Sequence, residues 1–191
     1  MPKTSFRKNS DSPMLAVCLG LSVTLQTVAS AQEPEEEARL LKAVFIYNFA
    51  KFTRWPDHVL SDRDYPLTIC TAGSDEMLDA LARLAGRQVQ GRQVVLQPID
   101  HGENSPPCHL LYIATSERNS FPETIAQVNG DPVLTISELP GFARGGGVIE
   151  LYREQGRIRF LVNLRVARER GLEISSRLLN LAEIVNGEGG Q

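Results

Sequence analysis

LTICTAGSDEMLDALARLA, residues 67–85, sets the architecture. Leu67–Ala72 is a short apolar run without polar alternation, and it reads as a buried strand. Gly73 interrupts it, and Met77, Leu78, Leu81 and Leu84 then recur at helical spacing from Asp75 to about Ala85. A strand apolar on both sides, followed at once by a helix, needs cover on both faces, as in a parallel sheet. The pattern repeats downstream. Residues 94–99 read as a second strand, and residues 109–114, after the loop holding Pro106 and Pro107, as a third, continuously apolar one. Residues 122–128 then read as a helix and 132–136 as a fourth strand.

Upstream of this unit, the glutamates from Glu33 to Glu37 form an acidic first turn, favourable at a helix N-terminus, and the helical pattern runs on to Phe52. Leu41, Phe45, Phe49 and Phe52 make one stripe, and Leu40, Val44 and Tyr47 a second. A helix apolar on two sides is either deeply buried or offers one side to a partner. Trp55-Pro56 ends it, because the residue before proline is pushed toward an extended conformation. Downstream, Gly145-Gly146-Gly147 precedes residues 148–153, a turn at Gly156 and then Arg157–Val162, which together read as a β-hairpin. Leu161 shares a strand face with Arg157 and Arg159, so it is an apolar residue on the wetter side. Asn163 is a candidate cap for a short helix ending at Gly171, and Ser175 for a last helix through Val185. No repeat or linker interrupts residues 38–186. The expected fold is α/β: a three-layer α/β/α sandwich with a mixed, mostly parallel sheet and a C-terminal β-hairpin.

Residues 1–31 read as a cleavable signal peptide. Lys3, Arg7 and Lys8 make its positive region, residues 14–25 its apolar stretch, and Ala29-Ser30-Ala31 its cleavage site. About 12 apolar residues fall short of the roughly 20 that span a bilayer. Residues 32–191 then form one exported domain, with no second apolar segment to insert in a membrane. Cleavage removes Lys3, Arg7, Lys8 and Asp11 and shifts the formal charge from −3 to −5. An acidic domain is a poor nucleic-acid binder, since such binding rests on clustered Lys and Arg. The arginines between Arg153 and Arg177 are interleaved with Glu154, Glu169 and Glu173 and read as solvated faces. Cys70 and Cys108 remain. In an oxidising compartment this pair suggests one disulfide, the alternative being two separate buried thiols.

Nothing in the sequence marks a catalyst, a metal site or a cofactor. There is no nucleophile elbow or triad signature. His58, His101 and His109 lie far apart and lack zinc-like spacing to one another or to cysteine. Gly73 and Ser74 sit in a strand-to-helix loop whose amides could hold an anion or a small ligand at the strand ends. The Gly145-Gly146-Gly147 run is not followed by a helix, so it reads as a turn or bulge. Phe142, in the Leu139-Pro140-Gly141-Phe142 loop, is either folded onto the core or presented to a partner.

Four groups of residues together resemble one family, YfiR/HmsC-like. They are residues 42–52 with Trp55-Pro56; Val133 to Ser137 with Leu139 to Gly147; Arg159-Phe160 with Asn163-Leu164; and Ile174-Ser175-Ser176 with Leu178-Leu179. Cys70 and Cys108 fall where that family places a disulfide. A second cysteine pair of its best-known member would fall near Ala143 and Glu150, where this chain has no cysteine. The resemblance implies a non-enzymatic periplasmic repressor. Such a protein binds the periplasmic sensor region of a membrane-bound diguanylate cyclase, lowers cyclic di-GMP synthesis and restrains biofilm formation. A homodimer and a small-molecule ligand are both compatible with it. Trp55, Phe142, Ile149 and Leu161, with the surplus apolar residues of the first helix, are the expected partner-binding patch.

Overall fold

The computed structural model describes residues 33–62, 64–99 and 107–185. The expected signal peptide and His101 lie outside them. Helix α1 (Glu33–Lys51) is followed by β1 (Thr53–Arg54) and then β2 (Leu67–Ala72), α2 (Met77–Ala82), β3 (Gln88–Val89) and β4 (Arg92–Ile99). The second half holds β5 (Leu110–Ile113), α3 (Phe121–Gln127), β6 (Leu134–Ser137), β7 (Ile149–Glu154), β8 (Arg157–Val162), α4 (Leu164–Glu169), β9 (Glu173–Ile174), α5 (Ser176–Leu179) and β10 (Glu183–Ile184). Eight strands form one sheet in the order β10-β8-β7-β6-β5-β2-β4-β3, while β1 and β9 form a separate antiparallel pair. All neighbours in the large sheet run parallel except β7/β8 and β3/β4. The sheet is therefore mixed and mostly parallel within an α/β fold, and the hairpin stands where the sequence puts it.

Strand parity divides the apolar residues into two cores. Leu67, Ile69, Leu110, Tyr112, Leu134, Ile136, Ile149, Leu151, Phe160 and Val162 face one side. They meet Ala43, Ile46, Phe49 and Ala50 of α1, Met77 and Leu81 of α2, and Val166, Leu172 and Leu178 near the C-terminus. Cys70, Ala72, Leu111 and Ile113 face the other side, under Ile125 of α3 and Leu139 and Phe142 of the following loop. The first cluster is much the wider.

Two local arrangements position the ends of α1 and α4. The β3–β4 turn holds Gln90 at φ 53°, and its amide Nε2 donates to the carbonyls of Ala50, Lys51 and Thr53, closing the C-terminus of α1. Asn163 caps α4 by accepting from the Val166 N–H at 3.1 Å, and Ser175 caps α5 through Leu178. Expectation and structure part at the C-terminus. The last helix does not reach Val185: it ends at Leu179, and β10 pairs in parallel with β8, with the Val185 N–H donating to Val162. The open backbone edge of β8 takes that segment into the sheet.

Candidate functional site

The four residues expected to form a patch are buried inside the chain. Trp55 is 4% exposed, its Nε1–H donating to the His109 carbonyl at 3.1 Å and its ring lying edge-on to the imidazole. Phe142 is fully enclosed and stacks at a tilt on Phe121; any side chain at Gly147 would run into its ring, which is why a glycine follows there. Ile149 and Leu161 do not share a face. Ile149 stands opposite Val162 on the wide core, whereas Leu161 stands opposite Glu150 on the other side and is 8% exposed. These four side chains therefore do not add to an exposed patch; of the residues expected in it, only those of the first helix reach the surface.

The strand ends near Gly73 and Ser74 are filled by the chain's own groups. Gly73 has φ +76° and lies so close to Ser116 and Glu117 that a Cβ would collide with them. The Ser74 N–H donates to Ser116 Oγ at 2.9 Å. Asp75, which the sequence did not single out, accepts from Met77 N through one oxygen and from Tyr112 Oη and Thr115 N through the other. Burial, then the negative fields of Glu138 and Asp75, push the Tyr112 phenol well above its ordinary range and keep it neutral. The loops after β2 and β5, where open α/β sheets usually bind ligands, are thus bonded to each other.

His109 is structural. Its Nδ1 accepts from the Thr68 N–H at 3.0 Å, and Val59 backbone contributes a further hydrogen bond. Burial, then the nearby Arg92 charge, lower its pKa from 6.5. His58 is exposed. Among the described residues, no three His, Cys, Asp or Glu side chains cluster as a metal site.

Among the described residues, α1 carries an exposed apolar stripe. Its core face is Ala43, Ile46, Phe49 and Ala50, so the two stripes read from the sequence mix inner and outer positions. Leu41 and Val44 are 46% and 50% exposed, and half-buried Phe45 continues the same line at helical spacing while touching Phe49 and Phe160. Ion pairs flank the stripe: Arg39 with Glu36 and Glu76, and Lys42 with Glu138. Cys70 and Cys108 are joined by a disulfide on the far face, with Cα atoms 5.7 Å apart. The strand register sets Cys70 opposite Leu111, three residues beyond Cys108, so a 5.7 Å separation requires Cys108 to depart from the line of β5.

The profile of the YfiR/HmsC-like family matches residues 39–183. The chain belongs to this family. YfiR/HmsC-like proteins are periplasmic regulators, and no helix among the described residues of this member is long and apolar enough to cross a membrane. The match spans the α1 stripe, the disulfide and the hairpin. It also covers the positions where the second cysteine pair would fall. Here the Glu150 carboxylate, 6% exposed, accepts from the Ala143 N–H at 3.0 Å through one oxygen and from the Gly141 N–H at 3.1 Å through the other. A hydrogen-bonded clamp joins the same two places.

Proposed function

We propose that this YfiR/HmsC-like protein is a periplasmic repressor that docks on the periplasmic sensor region of an inner-membrane diguanylate cyclase and lowers cyclic di-GMP synthesis. The observation that carries the reading is the exposed Leu41–Val44 stripe of α1, in a chain whose family consists of periplasmic regulators. Burying a Leu and a Val against a partner contributes about 1.5–3 kcal/mol each, enough to make this stripe the centre of an interface. Repression then follows from population shift: the repressor binds the inactive arrangement of the sensor region more tightly than the active one.

The test is a Leu41→Asp, Val44→Asp double variant. Both positions are on the surface, so its thermal melt should match the parent's. Its affinity for the purified periplasmic region of a cyclase encoded beside it should fall at least tenfold, and cyclic di-GMP in cells should rise. Unchanged binding removes α1 from the site. No binding by the parent chain removes the repressor reading, and a change only in self-association assigns the stripe to a homodimer.

A further inference from the structure

One arginine of the C-terminal group is not solvated. Arg170 is 4% exposed and lies in the wall of a cleft of ≈ 370 Å³ between α3 and α4, at the lower end of the range small-molecule sites occupy. Its Nη1 donates to the Val133 carbonyl at 3.1 Å, and its Nε–H is buried with no partner. Of the five N–H groups a guanidinium offers, the Nη1–H on Val133 is the one hydrogen-bonded among the described residues. Burial disfavours the charged form and the field of Asp131 favours it, yet Asp131 makes no ion pair with it. The other walls divide by chemistry. Pro122, Ile125 and Ala126 of α3 and Val166 of α4 are apolar, while Arg165 is already paired with Glu169 at 2.7 Å.

A buried guanidinium with spare donors calls for a planar acceptor of opposite charge, and a carboxylate matches its fork. Glu169 in the same wall repels a dianion, which disfavours a phosphate monoester or inorganic phosphate. We infer that this cleft binds a small monocarboxylate with a short apolar tail, the carboxylate on Arg170 and the tail along Ile125, Ala126 and Val166. The site is separate from the strand-end loops at Gly73 and from the α1 stripe, and it stands independently of the repressor reading.

The exported chain, residues 32–191 with its disulfide intact, would be titrated with butanoate, hexanoate and octanoate, with hexanamide and inorganic phosphate as controls, following backbone amide resonances. At least one monocarboxylate should saturably shift the amides of Ala126, Val166 and Arg170, hexanamide should not, and phosphate should not compete. Arg170→Lys should weaken binding at least tenfold, because an ammonium cannot reproduce the fork. Ala126→Phe, at an exposed rim position, should block the cleft without disturbing the core, and it keeps the test decisive if Arg170→Lys does not fold. The inference is overturned if none of the three acids shifts these amides, if hexanamide binds as well as hexanoate, if phosphate displaces the acid, or if Ala126→Phe binds like the parent.

Discussion

On one side of the sheet, Ile46, Phe49, Tyr112 and Trp55 are enclosed by α1, α2 and the segment from α4 to α5; on the other, Cys70, Leu111, Ile113 and Phe142 lie beneath one short helix and a loop. The wide side is held by apolar volume. The narrow side has too little of it and relies on specific ties: the Cys70–Cys108 bridge, the Glu150 clamp, and Ser137 Oγ, which donates to the Ile113 carbonyl at 2.7 Å. Its margins stay open to water, with Val95 and Gln97 on β4 and Arg159 on β8 exposed. A domain of this size can thus cover the second face of its sheet only at the centre, using a covalent bond where a second full layer of helices would otherwise stand.

The sharpest break of this contrast is Trp55→Ala. Removing a buried indole costs about 3–5 kcal/mol, and here it also removes one of the two donors to the buried His109 carbonyl, leaving the Leu134 N–H. Denaturant melts should show that loss; a cost under about 1 kcal/mol would mean that the wide core does not depend on its volume. Replacing both Cys70 and Cys108 with alanine should cost about 4 kcal/mol, from the closure entropy of a 38-residue separation. Amide exchange should rise most around Leu111 and Ile113. Uniform loosening of both faces would contradict the division of labour. The smallest effect is electrostatic. His109 has a folded pKa below 6.5, so the unfolded chain binds the proton more readily. Its contribution is complete above about pH 6.5 and is lost as the pH falls through the folded value. His109→Gln should flatten the stability–pH profile in that interval while leaving the wide core packed.

Much of the framework is local and therefore readable. The continuous apolar runs at 67–72 and 109–114, the Gly156 hairpin and the caps at Asn163 and Ser175 each depend on neighbours within a few residues. What escapes the sequence is which side of an element receives cover. Parity placed Leu161 with Arg157 and Arg159, but Leu161 lies deep enough in the sheet to be closed over, while the arginines stay exposed. Trp55 and Phe142 sit beside Pro and Gly, where loop chemistry gives no hint that their rings turn inward. Ile46 belongs to neither apparent stripe of α1 yet is fully buried, because the short side chains of Ala43 and Ala50 let the helix approach the sheet on that side. Arg170 looked like one more solvated charge among interleaved glutamates, and only its contact with distant Val133 sets it apart.

Glu150 gives the chain a closure that no thiol reagent can open. Among the described residues, the Cys70–Cys108 bond is the one link a thiol reductant can open, and it lies behind the sheet from the α1 stripe. A reductant therefore acts on the side of the sheet opposite the exposed stripe, and its effect would pass to α1 only by loosening the fold between them.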